Sequence, residues 1–407
     1  MYCKELIKGK KWVCVADGPS DPVTGKRRQI SRRGKTKKEA AKRVEDAIRK
    51  LKENGIDEKK VRKMTFDKLA AEWLKVYVLT GVKKNTVRIR RKEIKILLRY
   101  IAKVNVDKIS SKMYQDILID LSKPNKKRKP VSYARNTIEG VHTTAGMIFR
   151  YAVQEKLIKE SPTTYAVIPK KRKTVEEIEN EDIEEKYLEI NEVSEFLDAV
   201  EKYGLYLDTE WFYLLVFSGM RSGELCALKW TDITFNKNLV RVTKTLTNET
   251  NNMKKYELTP PKTEGSVRTF DIPEYVMNLL KQHKIKQMKL HEAGRLKYKE
   301  DFHEANFVFC RDNGYPFAPK NILVRMERLI EKTTIKKHAT PHIFRHTHIS
   351  MLTAAGVDLA TIMERVGHED IKTTMKIYTH VTKKMKEDAS QKINQTLVDI
   401  LNNKISM

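Results

Sequence analysis

Four short segments in the C-terminal half of the sequence concentrate cations and titratable groups. In Gly219-Met220-Arg221-Ser222-Gly223-Glu224 an arginine stands between two glycines, where backbone can approach a ligand closely, and Glu224 is near enough to orient it. Arg221 is equally well read as a surface residue on a helix-capping turn. In Thr340-Pro341-His342-Ile343-Phe344-Arg345-His346, Thr340 is a good N-cap and Pro341 suits the first helical position. His342 and Arg345 then share one face beside the positive end of that helix, an arrangement suited to an oxyanion or phosphate. His338, His342, His346 and His348 invite a metal reading. The glutamate of a His-Glu-x-x-His site is missing, and no Cys or Asp ligand is near, so no metal is expected. In Val366-Gly367-His368 a histidine follows the glycine that ends one helix, a place where a structural role is common. Thr373-Thr374 offer a cap, and Tyr378 follows within the next turns, where tyrosines are often half-buried core residues.

The elements that must position these residues follow from hydrophobic period. Helices are expected near 191–203 and 208–218, a strand at 239–242, and two strand-like pieces flanking Pro260-Pro261-Lys262-Thr263-Glu264-Gly265-Ser266-Val267-Arg268. Helices fill most of the remainder, so this part reads as α+β, mostly helical with a small antiparallel sheet. Upstream, Phe66, Leu69, Ala70, Trp73, Leu74 and Tyr77 follow 3-4 spacing, as do Ile94, Leu97, Leu98 and Ile101. Residues 137–153 make a third such segment, and residues 64–170 read as an all-α bundle with a basic, proline-bounded loop at 123–130. At the N-terminus, a strand at 11–17, a turn at Asp21-Pro22-Val23-Thr24-Gly25 and a basic strand at 26–33 form a β-hairpin. A helix follows, with Thr36 and Glu39 as a capping box.

The 407 residues suggest two or three domains. The net charge of +28 is unevenly spread. Residues 1–170 hold 44 basic and 18 acidic side chains; residues 171–407 hold 37 and 35. A basic half beside a nearly balanced one points to a polyanion-binding part joined to a part with another task. Residues 176–195 hold ten acidic residues against Lys186 alone and read as an exposed linker. The longest apolar run, Trp211 to Phe217, is seven residues, far short of a membrane span, and the first residues lack an apolar signal core. Cys3, Cys14, Cys226 and Cys310 lie far apart, with neither zinc-finger spacing nor a disulfide framework, which fits a reducing cytoplasm.

Taken in order, Arg221, Lys262, His342-x-x-Arg345, Gly367-His368 and Tyr378 resemble the tyrosine recombinase (phage integrase) family. The resemblance covers nearly the whole chain. It implies an arm-type DNA-binding domain at 1–60, a helical core-binding domain at 64–170, an acidic linker at 171–190, and a catalytic domain with a C-terminal tail at 191–407. Tyr378 lies ten residues after His368, where nine is commoner in the family. By this resemblance Tyr378 is the nucleophile that forms a 3′-phosphotyrosyl link. Arg221, Arg345 and His368 stabilise the phosphorane, His342 is the base, and Lys262, on a mobile hairpin, is the general acid. No cofactor is implied. The implied partners are double-stranded DNA at core and arm-type sites, a homotetramer on synapsed DNA, and accessory DNA-bending proteins from the host or the element. The implied setting is cytoplasmic and DNA-associated, without a membrane. The implied function is integration and excision of a mobile element. A type IB topoisomerase-like strand transferase and a DNA-binding regulator without catalysis are the alternatives.

Overall fold

The computed structural model describes residues 1–19, 29–54, 64–124, 132–170, 186–248, 252–261, 264–367 and 371–405. Two compact units are present, Met1–Arg172 and Lys173–Met407. The expected turn at 21–25, the start of the strand at 26–28, most of the basic loop, and linker residues 171–185 lie outside the described residues.

At the N-terminus β1 (Tyr2–Ile7), β2 (Lys11–Asp17) and β3 (Gln29–Gly34) form an antiparallel sheet in that order. The expected hairpin therefore gains an edge strand, β1. Helix α1 (Lys37–Asn54) covers one face, burying Cys14, Ala40 and Val44 with Trp12, Ala16 and Ile30 around them. Thr36 Oγ1 accepts from Glu39 N–H, and the Glu39 carboxylate accepts in turn from the N–H of Lys35, with the Thr36 backbone also holding it in its charged form. The β1–β2 register sets Cys3 directly opposite Cys14, and the two form a disulfide. This corrects the expectation of unpaired cysteines: their separation in sequence hides a cross-strand pair, and the cysteines carry no argument about compartment. Cys226 and Cys310 are free and buried.

The next four helices are α2 (Phe66–Leu79), α3 (Lys84–Ile101), α4 (Ser111–Ser122) and α5 (Arg135–Gln154). Their apolar stripes close a core around Phe66, Leu69, Leu97, Tyr114, Leu118 and Phe149. Helix α4 lacks a place in the three-segment reading, although Ser110 caps it by accepting from Met113 N–H at 3.1 Å. On α3, Lys84, Arg91, Lys92, Lys95 and Arg99 are exposed and form a cationic surface opposite the core.

The second unit opens earlier than the linker reading allows. Tyr187 and Leu188 are buried, and Leu188 N–H donates to Thr347 Oγ1, so residues 187–188 belong to this unit and are not exposed linker. Their acidic neighbours are engaged too: Glu192 pairs with Lys337, and Glu189 with Lys384. Helix α6 (Ile190–Tyr203) leads to α7 (Asp208–Ser218), whose Trp211-Phe212-Tyr213-Leu214-Leu215-Val216 run is apolar all round and lies in the centre of the core. A short helix α8 (Ser222–Ala227) and strands β4 (Ile233–Thr234), β5 (Leu239–Val242), β6 (Thr245–Thr247), β7 (Glu257–Thr259) and β8 (Arg268–Asp271) follow. Helices α9 (Glu274–Tyr298), α10 (Pro319–Ile330), α11 (Ile343–Ala354), α12 (Leu359–Val366) and α13 (Ile371–Ile405) complete the unit.

These strands pair in two antiparallel sets. β5 pairs with β8, and β6 with β7. They form one long antiparallel hairpin whose returning arm is interrupted between Thr259 and Arg268, opposite only Thr243 and Lys244. A short 3-10 turn at Met253–Lys255 precedes β7, and Lys262 lies outside the described residues. Tyr256 is hydrogen-bonded to His303, which stacks on Tyr315, so the far end of the hairpin is anchored to the body of the unit.

Candidate active site

Helix α7 ends at Gly219, whose φ of +61° is left-handed. A Cβ here would also stand 3.0 Å from the His348 ring, so glycine is required twice over. The chain turns and Arg221 becomes the N-cap residue of α8. Its backbone N–H and its Nη1 both donate to the Glu224 carboxylate, at 3.0 and 2.8 Å. Glu224 is buried. Burial alone would raise its pKa, but Arg268 and then Arg221 hold the carboxyl below its usual value.

Arg345, in the first turn of α11, is completely buried. Its Nη1 donates to Gly219 O at 2.9 Å and its Nη2 to Val366 O. One planar guanidinium therefore ties the turn that presents Arg221 to the end of α12, where Gly367 (φ +64°) closes the helix. Burial, then the charges of Arg221 and Arg268, draw the Arg345 pKa down to about 8, with Glu224 opposing. Such a cluster of cations favours an anion in the site.

The helix that carries this pair starts later than the sequence suggests. Thr340 contributes its carbonyl to Ile343 N–H, and α11 begins at Ile343, so Pro341 and His342 form the preceding turn. His342 is exposed, but protein crowds its ring, and His346 lies 4.8 Å away between ring centres. This crowding, then His346, Arg345 and Arg221, lowers its pKa to about 4. Glu224 opposes them, and on balance the ring is held neutral at neutral pH.

His348, unassigned in the sequence, supports the site from behind. Arg365 Nε donates to its Nε2, which assigns the hydrogen to Nδ1, and Nδ1 donates to Val216 O. Burial and then Arg365 lower its pKa to about 3. The unfolded chain, with a histidine near 6.5, takes up this proton first, so stability falls as pH drops from 6.5 toward 3. At pH 5 the loss is about 2 kcal/mol relative to pH 7. Urea unfolding at the two pH values is expected to show it, and His348→Gln to flatten the dependence; an unchanged dependence in that variant would contradict the assignment.

Helix α13 begins at Ile371, so Thr373 and Thr374 lie inside its first turn rather than before it. Tyr378 is half-buried, its ring packed on the cluster of Tyr187, Ile349, Ile362 and Val366. Through Val366 this cluster adjoins the Arg345 network. Among the described residues, no hydrogen bond joins the Tyr378 hydroxyl to Arg221, His342 or Arg345. Lys262 and His368 lie outside the described residues. Their flanks meet: a Cβ at Gly367 would stand 3.1 Å from both Gly265 O and Ser266 Cα. Ile393 in the tail helix is exposed; the side chains of Leu397, Ile400 and Leu401 lie outside the described residues. No group of three or more metal-ligating residues occurs among the described residues, and no described helix is long and apolar enough to cross a membrane.

Residues 186–385 match the Phage integrase family, and residues 3–51 match the Arm DNA-binding domain. The chain is 30% identical over 394 residues to the prophage ps2 probable integrase of Lactococcus lactis subsp. lactis (strain IL1403), covering 94% of this chain and 95% of that one. It is 29% identical over 363 residues to the integrase of Staphylococcus phage L54a, covering 87% and 99%. Its fold is similar to that of the Tn1549 transposon integrase solved with circular intermediate DNA, with a TM-score of 0.60, 22% identity, and coverage of 78% of this chain and 95% of that one.

Proposed function

We propose that this chain, which belongs to the phage integrase family and is a tyrosine-type site-specific recombinase, integrates and excises a mobile element through a 3′-phosphotyrosyl intermediate on Tyr378. The observation that carries the assignment of residues is the Arg345 bridge between Gly219 O and Val366 O, which gathers Arg221, His342 and the Gly367 turn into one cationic site.

The Tyr378 oxygen attacks the scissile phosphorus and forms a P–O bond as the bond to the 5′-oxygen breaks. Free tyrosine has a pKa near 10, so a base is needed, and neutral His342 takes the phenolic proton. Lys262 returns a proton to the departing 5′-oxygen. Arg221 and Arg345, with His368, stabilise the charge that builds on the non-bridging oxygens. The phosphodiester energy is kept in the tyrosyl link, so a 5′-hydroxyl from the partner strand can reverse the attack and reseal DNA without ATP.

Residues 1–60 bind arm-type sites and the helical bundle at 64–170 binds the core site, its exposed lysines and arginines on α3 facing phosphates. A homotetramer on two synapsed duplexes, assisted by accessory DNA-bending proteins, is the assembly this reading requires. The topoisomerase-like and non-catalytic readings draw no support from the relatives. Incubation with a nicked duplex bearing the direct repeat that borders its gene is expected to trap a detergent-resistant protein–DNA adduct without added nucleotide. A bound but adduct-free complex would favour the regulator instead.

The charge distribution predicts the salt response. Residues 1–63 hold 21 basic and 9 acidic side chains. Deleting them is expected to lower the slope of log affinity against log salt on arm-site DNA by several units while leaving the slope on core-site DNA nearly unchanged. Equal slopes on arm-site DNA with and without this segment would contradict the division of labour.

A further inference from the structure

Arg268 stands at the start of β8 and points inward with Phe270, at a strand position where an apolar residue is expected. It is 7% exposed. Its three nitrogens serve three acceptors, one local and two far along the chain. Nη2 donates to Glu224 Oε2 at 2.9 Å, Nε to Arg365 O at 2.9 Å, and Nη1 to Ser266 O at 3.2 Å. Glu224 in turn holds Arg221. Ser266 lies two residues before Arg268, near the end of the stretch between β7 and β8. Arg365 lies in the last turn of α12, just before Gly367 and His368. Gly367 packs on the same side chain, since a Cβ there would stand 3.1 Å from Arg268 Cδ. A second tie reinforces the joint: Arg365 donates to the carboxylate and carbonyl of Asp271, at the other end of β8.

We propose that Arg268 is a positioning residue for strand transfer, fastening the Arg221 clamp, the Ser266 end of the stretch before β8 and the Arg365–Gly367 end of α12 into one working arrangement without touching DNA. Two effects follow from its chemistry. The first is geometric: a rigid planar fork reaches three acceptors at once, which a lysine ammonium on a flexible stem does not. The second is electrostatic. Glu224 is shared between Arg221 and Arg268. With Arg345, three guanidinium groups face one carboxylate and leave the site doubly positive. Without Arg268, Glu224 belongs to Arg221 alone, and the clamp meets the phosphate half neutralised. A buried ion pair is weak support for stability in itself, since apolar replacements often do as well. The three acceptors of Arg268 give it a reason to be charged here.

This inference rests on the strand-transfer reading, so the adduct formed by the parent protein on the nicked duplex is the control. Arg268→Gln and Arg268→Lys are compared with the parent for gel-shift affinity and for single-turnover adduct rate. The substrates carry either an ordinary scissile phosphate or an uncharged methylphosphonate there. The Gln variant is expected to lose about 100-fold in rate on the ordinary phosphate, with affinity within about threefold of the parent. The Lys variant, which keeps the charge but not the fork, is expected to recover roughly tenfold of that loss. On the methylphosphonate the Gln defect is expected to shrink to below about tenfold, because less negative charge awaits the clamp. A purely structural role predicts equal defects on the two substrates, and that result would overturn the proposal. So would a Gln variant that reacts within about threefold of the parent while the parent forms adduct normally. If the Gln variant does not fold, the Lys variant decides: rate lost with affinity kept supports the proposal, and equal loss of both overturns it. A parent that forms no adduct would instead sink the strand-transfer reading itself.

Discussion

Replacing Tyr378 by phenylalanine is expected to lower covalent adduct formation by roughly 10⁴-fold or more, the scale seen when a nucleophile is removed. Binding to the same nicked duplex should stay within a few-fold of the parent. The separation follows from where the ring sits. Its carbon framework packs on the cluster that holds Ile349, Ile362 and Val366, and phenylalanine keeps that packing. The hydrogen bond from Thr382 goes to the Tyr378 carbonyl, which the substitution leaves in place. On the proposed division of labour DNA affinity is spread over many phosphate contacts in the basic N-terminal half, none of which needs the hydroxyl. Adduct at the parental rate in this variant would show that another group attacks the phosphorus.

Arg345→Lys should cost about 10² to 10³ in adduct rate, comparable to loss of an oxyanion donor. Although it is formally conservative, this change is severe for two reasons. The Arg345 guanidinium spans Gly219 O and Val366 O, and so sets the distance between the Arg221 turn and the Gly367 turn. A lysine reaches one carbonyl and leaves the other buried and unpaired, at about 1–3 kcal/mol in stability. The ammonium also lacks the fork that matches two phosphate oxygens. Stability and catalysis are separable by temperature. If the defect came only from partial unfolding, cooling to where the variant is fully folded by circular dichroism would restore the rate. The expected result is a folded, DNA-binding protein that remains slow; full recovery on cooling would contradict the catalytic assignment.

Much of the site was legible because its parts are local. Glu224 lies three residues from Arg221, and Arg345 three from His342, so a single helical turn brings each pair together. Gly219 and Gly367 announce turns. The helical stripes of α2, α3 and α5, and the excess of positive charge before residue 170, are likewise properties of neighbouring residues. What escaped depends on pairing across distance. Strand β1 alternates weakly, and only its register against β2 reveals that Cys3 faces Cys14. The interruption in the β5–β8 hairpin arises because eight residues on one arm oppose two on the other, which local turn signals around Pro260-Pro261 do not report. Tyr187 and Leu188 sit beside an acidic run, yet residues far along the chain bury them, with Leu188 N–H donating to Thr347 Oγ1. Arg268 did leave a trace: a charged residue in an inward position of a strand, two before a buried phenylalanine. Two of its three acceptors, Glu224 and Arg365 O, come from segments far along the chain, so its role could be read only after folding.

The most direct measurement identifies the covalent link itself. Adduct trapped on the nicked duplex is digested with protease and nuclease, and the peptide carrying the residual nucleotide is sequenced by mass spectrometry. The account predicts a single modified peptide, with Tyr378 joined to a 3′-phosphate and the freed strand ending in a 5′-hydroxyl. A link to any other residue, or through a 5′-phosphate, would contradict it.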